Sequence, residues 1–397
     1  MDAWIAAGIA VAVFLAWNNG SNNAANMIGT AVGAGVISLR KALAISALAT
    51  FVGALLLGKY VTNTVMRGII NIGAVSSETV AIAMISVLVA ASIWTLVSSF
   101  IKVPMSVHAC VLGGLIGVGL AMGSNVVNWG TLARIFISWL FVPFAAAGLA
   151  VGIEKCVERA VGSKRGLSLL VPVSSFVSVF IPILLSLLKT GSYVARAVAL
   201  ASAAGIGAVI VAEAWWRKAL RKAGGSNSLP IEEAMRILLI EAAIAMSFAF
   251  GSNDVANSAG PLAAIMYTRG LVTVVGIAII TSVVIAGSSL AIGIATWGSS
   301  VVETVGKKIT LLSPRSAFVA QLSAALVMAI LSRLGIPAST SMAIVGSVMG
   351  VGMARGLHNV DFKTIAKIFV MWYVAIPCVA ATSYALFHAI RVISLIT

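Results

Sequence analysis

Charge is what this chain most lacks: Asp, Glu, Lys and Arg together make up 9% of its 397 residues. That leaves too little polar surface to cover a water-soluble globule of this length, and the mean hydropathy of +1.10 agrees. Acids are scarcer than bases, 11 against 26. The three histidines, His108, His358 and His388, sit in separate regions, so the clustered acid and base groups that a membrane-embedded enzyme needs are missing. The three cysteines, Cys110, Cys156 and Cys378, are far apart without metal-type spacing; they read as packing residues and imply no disulfide. The period-2 alternation of a membrane β-barrel is also absent.

What is present is apolar sequence in blocks of about 17 to 25 residues or more, the length a helix needs to cross a bilayer. Twelve such segments are predicted: 3–37, 42–57, 76–101, 104–123, 131–152, 166–188, 193–214, 235–268, 271–293, 316–334, 337–354 and 365–390. The net charge of +15 sits in short clusters at the ends of these segments, which is a topology signal and not a nucleic-acid footprint. With the N-terminus outside, 18 of the 26 basic residues fall in inner connections, so the positive-inside rule places both termini outside. Segment 3–37 has no basic region before it and is not read as a cleavable signal peptide.

Two polar words interrupt the apolar sequence: Gly20-Ser21-Asn22-Asn23-Ala24-Ala25-Asn26 and Gly251-Ser252-Asn253-Asp254-Val255-Ala256-Asn257. Lipid cannot solvate these groups, so they must face a protein-lined, water-accessible cavity. The segments that hold them are too long for one simple helix: 35 residues would run about 52 Å against a core of about 30 Å. Helix breaks are predicted at the words, where Gly and Asn are poor helix formers.

The duplication extends further. Pro104-Met105-Ser106 answers Pro337-Ala338-Ser339, and Trp139 answers Trp372, both at an offset of 233 residues. Under the predicted topology the first copy begins outside and the second inside, so the repeat is inverted, an architecture of many secondary transporters. The predicted fold is an all-α integral membrane protein of about twelve transmembrane helices, with broken or re-entrant helices. Its predicted divisions are a first repeat (1–152), connecting helices (153–214), a basic cytoplasmic loop (215–234) and a second repeat (235–397).

Broken helices offer free N–H groups and positive dipole ends to an anion, and carbonyl or carboxamide oxygens to a small cation. Candidate anion ligands are Asn22, Asn23, Ser106, Asn253, Asp254, Ser339, Thr340 and Ser341; candidate cation ligands are Asn23, Asn26, Asp254 and Asn257. A lone carboxylate at the midplane costs about 2.5 to 3.5 kcal/mol, so Asp254 needs a cation, a proton or a polar partner. Glu303 is a coupling candidate, with Lys307 four residues on as a surface alternative. Glu241 is either a second buried acid or a residue reaching the inner interface, and His108 reads as a packing residue.

These residues resemble the inorganic phosphate transporter (PiT) family, whose halves each carry a signature close to G-[AS]-N-D-x-[AS]-N. The Gly-Thr-Ala-Val-Gly run at 29–33, Gly260-Pro261, the stretch 302–305 and both Pro-x-Ser motifs fit as well. The resemblance implies phosphate symport with Na⁺ or H⁺, Na⁺ held at Asn23 and Asp254, no cofactor beyond the coupling ion, and a homodimer in the cell membrane. Two positions depart from the family pattern: Asn23 stands where an aspartate is usual, and Asn63 where many members have a glutamate matching Glu303. Another oxyanion and a proton-coupled metal–phosphate complex are the alternative cargoes.

Overall fold

The computed structural model describes residues 2–100, 106–188, 194–222, 231–309, 313–356 and 362–396. Within them the chain forms helices α1 (Ala3–Gly33), α2 (Leu39–Asn63), α3 (Ser77–Phe100), α4 (Val107–Met122), α5 (Trp129–Val161), α6 (Lys164–Leu187) and α7 (Val194–Lys222). The series continues with α8 (Ile231–Asp254), α9 (Ala256–Thr268), α10 (Val275–Ile309), α11 (Pro314–Arg333), α12 (Thr340–Arg355) and α13 (Phe362–Ile396). In lipid every backbone polar group needs an internal partner, and helices supply it segment by segment. Several start where the sequence provides a cap: Asp2 accepts from the Trp4 N–H at 2.8 Å, Asn128 from Thr131 at 3.0 Å and Ser163 from Gly166 at 2.9 Å. The basic residues Arg217 and Lys218, expected in a loop, continue α7.

Among the described residues, ten segments are long and apolar enough to cross a bilayer, α8 and α9 together counting as one. The predicted crossings 104–123 and 337–354 are instead short helices, α4 and α12, of 16 residues each. At about 1.5 Å per residue they run about 24 Å, less than a core of about 30 Å.

Their ends explain the shortness. Arg269, after α9, pairs with Asp2 before α1 and reaches Ser77 at the start of α3, so α3 starts at the end of the bundle where α1 starts. Past α4 the chain returns to that end, where Asn71 N–H donates to Val126 O and Asn128 N–H to Ile69 O, both at 2.8 Å. The α11–α12 pair does the same from the opposite end. Gln321, early in α11, donates to Met27 O and Thr30 Oγ1 near the finish of α1. Buried Glu154 of α5 joins Arg315 at the start of α11 to Arg355 at the finish of α12, at 3.0 and 2.9 Å. Two helical hairpins therefore enter from opposite ends, and their tips meet in the middle.

The predicted break in the first polar word does not occur: α1 is continuous for 31 residues. Its polar side chains bond back along the helix. Ser21 Oγ donates to Asn18 O at 2.9 Å, Asn22 Nδ2 to Asn18 Oδ1 at 2.8 Å and Asn23 Nδ2 to Asn19 Oδ1 at 2.8 Å. The polar atoms are satisfied without opening the backbone ladder. In the second word the helix is interrupted only at Val255, which keeps right-handed helical dihedrals (φ −56°, ψ −32°). Pro261 weakens the ladder downstream, since it has no N–H for the Asn257 carbonyl.

The glycines of the words serve packing. A Cβ on Gly20 would run into the Leu290 carbonyl of α10, and one on Gly251 into the Thr50 carbonyl of α2. Small residues let membrane helices approach backbone to backbone. The arrangement is reciprocal: Gly113 of α4 faces the Ile376 carbonyl of α13, while Gly346 of α12 faces the Pro143 carbonyl of α5. Both members of this second pair shift by the sequence offset of 233. Thus α4 packs against α13, and α12 against α5. Outside this core α7 presents Leu200, Ile206, Ile210 and Val211 outward, as a lipid-facing helix should.

Candidate functional site

Where the hairpin tips meet α1 and the α8–α9 junction, Asp254 is buried among polar partners. Its Oδ2 accepts from Thr340 Oγ1, in the first turn of α12, at 2.6 Å. Its Oδ1 lies 3.6 Å from His108 Nδ1, in the first turn of α4, and 3.5 Å from Asn257 Nδ2. Asn257 Nδ2 also lies 3.3 Å from the same histidine nitrogen. Asn19 of α1 completes the group, close enough to interact with the Asp254 carboxylate. One buried acid is thus reached from both hairpins, the interrupted helix and α1.

Polar atoms in this group remain unspent. His108 Nε2 and Asn257 Oδ1 are buried without a hydrogen-bond partner. Orphaned buried groups cost about 1 to 3 kcal/mol each, so two beside one buried acid indicate a ligand that satisfies them. An asparagine ladder runs on along α1: Asn23 Nδ2 donates to Asn19, Asn26 Nδ2 to Asn23 Oδ1 at 2.9 Å, and Asn26 also to Ser341 Oγ of α12 at 3.3 Å. The ladder ties the second turn of the site to the α12 N-terminus.

The serines of both Pro-x-Ser motifs stand at helix starts. Ser106 is the N-cap of α4 and accepts from Ala109 N–H at 3.3 Å; Pro104 and Met105 lie outside the described residues. Ser339 is the N-cap of α12, and its side chain makes no capping bond, so the hydroxyl is not committed to its own helix. Trp139 of α5 braces this second tip by donating to Pro337 O at 2.7 Å.

The structure gathers Asn23, Asn26, Asp254, Asn257, Thr340 and Ser341 into one connected group. Asn22 turns the other way, to Asn18, which in turn donates to Thr95 of α3 at 2.8 Å. Asn253 faces the loop before α12: its amide donates to Ser332 Oγ and Ile336 O, both at 3.1 Å, and its Oδ1 accepts from Ala338 N–H at 2.9 Å. Those bonds hold the hairpin tip beside Asp254. Glu241 lies away from the group, its two carboxylate oxygens each 2.8 Å from Ser175 Oγ of α6. The Glu303 side chain lies outside the described residues.

Sequence reasoning passed over Asn19 and set His108 aside. The signal for Asn19 was its place four residues before Asn23, on the same helix face. The signal for His108 was its place two residues after the Ser106 cap, in the first turn of a helix aimed at the site.

Membrane-spanning helices enclosing a buried acid, amides and hydroxyls at the junction of two helical hairpins define a membrane transport protein. The sequence matches the phosphate transporter family over residues 19–383, and the chain belongs to that family. A Chlamydia muridarum protein named as a phosphate permease is 34% identical, the alignment covering 96% of each chain. The inorganic phosphate transporter 2-1, chloroplastic, of Arabidopsis thaliana is 33% identical over 92% of this chain and 68% of that protein. A solved structure described as the sodium-dependent phosphate transporter superposes with a TM-score of 0.90 at 29% identity, covering 98% of this chain and 99% of that one.

Proposed function

We propose that this protein imports inorganic phosphate by symport with Na⁺ through alternating access of two inverted halves. The observation that carries this reading is the buried carboxylate of Asp254 where the hairpin tips meet, bonded to Thr340 of one tip and flanked by His108 of the other. Phosphate would be held by Ser339, Thr340 and Ser341 with the α12 N-terminal amides, helped by Asn23 and Asn26. Na⁺ would take oxygens from Asp254, Asn257 and the Asn23 end of the ladder; the uncommitted Asn257 Oδ1 suits a hard cation. Cation and anion then offset each other's charge in a pocket where neither is stable alone. The two hairpins from opposite ends, and the reciprocal glycine contacts, support an inverted pair of halves.

His108 beside Asp254 favours H⁺ as the second candidate for coupling ion. The test is uptake of radiolabelled phosphate by purified protein in liposomes, with Na⁺ and H⁺ gradients imposed separately and sulfate as competitor. Accumulation driven by Na⁺ at equal pH, unaffected by sulfate, supports the proposal. Accumulation driven only by a pH gradient would assign the coupling to H⁺, and equilibration without accumulation would make the protein a passive pore.

A further inference from the structure

A wide cleft lies away from Asp254, at the end of the bundle that carries the N-terminus, the outer end under the positive-inside reading. It has a volume of about 660 Å³ and runs between the finish of α2, the start of α10 and the turn after α11. Its lining holds three cations, Lys59, Arg67 and Arg333, and no carboxylate among the described lining residues.

The cations are held in place. The Arg333 guanidinium stacks 4.5 Å from the centre of the Tyr60 ring and donates to Leu188 O at 2.7 Å. Lys59 Nζ lies 5.1 Å from the same ring centre, and Arg67 Nε donates to Asn63 Oδ1 at 2.9 Å. Three fixed cations in a concave, low-dielectric wall focus a positive potential and concentrate anions.

The cleft and the Asp254 group share a wall. Arg333, Leu334 and Gly335 line the cleft, while the next residues of the same loop, Ile336 and Ala338, are bonded to Asn253 on the other side. Thr340, which bonds Asp254, follows. Gly335 adopts φ +69°, and a Cβ there would stand 3.1 Å from Tyr60 O, so the loop seals against α2. An anion in the cleft is therefore separated from the buried site by one short loop, latched by the side chain of the residue next to Asp254.

We infer that this basic cleft is a capture site for the phosphate anion before it enters the transport pocket, with loop 333–338 as the barrier between the two. The inference rests on the phosphate reading above for its ligand, and on the cleft alone for its charge. A lipid phosphate headgroup would share the same chemistry, so the test separates the two sources.

The probe is Leu334→Cys, an exposed position of the cleft that bonds nothing in the buried site. The protein is placed in neutral phosphatidylcholine liposomes, and modification of residue 334 is read by mass spectrometry. An anionic sulfonatoethyl methanethiosulfonate should react roughly tenfold faster than the cationic trimethylammonioethyl reagent, less so in high salt. Inorganic phosphate should slow the reaction, and Lys59→Gln with Arg67→Gln should bring the two reagents to near-equal rates. The same double variant should raise the KM for phosphate several-fold at low salt with kcat kept, and Lys59→Arg with Arg67→Lys should restore it. Equal reagent rates in the Leu334→Cys protein, or protection that arises only when anionic lipid is added and not with phosphate, would overturn the inference. Charge selectivity at residue 334 without any phosphate uptake would instead fault the transport reading.

Discussion

Replacing Asp254 by Asn removes one charge and almost no volume from the centre of the site. Thr340 can still donate to the remaining carbonyl oxygen, so the hairpin tip keeps its bond, although one of 2.6 Å to a carboxylate becomes an ordinary neutral one. Folding stability should change little, since a buried carboxylate is costly to desolvate and its loss offsets the weaker bond. Cation binding should change greatly. Two unit charges about 4 Å apart attract by about 4 kcal/mol at an effective dielectric near 20, and a ligated ion sits closer. Even with part of that cancelled by desolvation, a loss of about 3 to 4 kcal/mol lowers cation affinity by two to three orders of magnitude. In proteoliposomes the Asn variant should show phosphate uptake reduced at least a hundredfold under a Na⁺ gradient, with unchanged thermal unfolding in detergent. Normal uptake with unchanged Na⁺ dependence would refute the argument, whereas failure to fold would show that the charge itself is structural.

Three further outcomes are expected. Gly251→Ala should destabilise the protein by about 1 to 3 kcal/mol, because the new methyl overlaps the Thr50 carbonyl of α2 and overpacking forces helices apart; thermal unfolding in detergent measures it. Asn253→Ala should lower phosphate transport while Asp254 is intact, since Ala338 N–H and Ile336 O each lose a partner at a cost of about 1 to 3 kcal/mol and the α12 tip loosens. Uptake kinetics and protease sensitivity of the 333–339 loop would report it, and wild-type values for both would sink the latch. Glu154→Gln should weaken the tie from Arg315 and Arg355 to α5 by about 1 to 2 kcal/mol, discounted because both arginines are partly exposed, and melting temperature gives the check.

The class of molecule and most of its helices follow from composition and pattern, because bilayer length and the ban on unpaired backbone act segment by segment. Ser106 and Ser339 stand at helix starts for a local reason too, since serine is favoured at the N-cap. The depth of each helix was not local. Segments 104–123 and 337–354 carry enough apolar sequence to be read as crossings, yet their tips stop at Asp254, and only the contacts at both ends show it. The polar words misled in one respect: Gly20 and Gly251 resemble helix breakers, but each is small because another helix's carbonyl passes there.

Residue types thus determined that Asn, Ser, Thr and one Asp would gather away from lipid, since nothing else could solvate them. Which of them face the pocket was decided by tertiary packing. Asn253 and Asp254 are neighbours in the chain on successive positions of one helix, and 3.6 residues per turn point them apart, one to the loop that closes the site and the other to Thr340, 86 residues away. Asn19 and His108 join for the complementary reason: helices far apart in sequence meet at one depth, and no local pattern encodes that meeting.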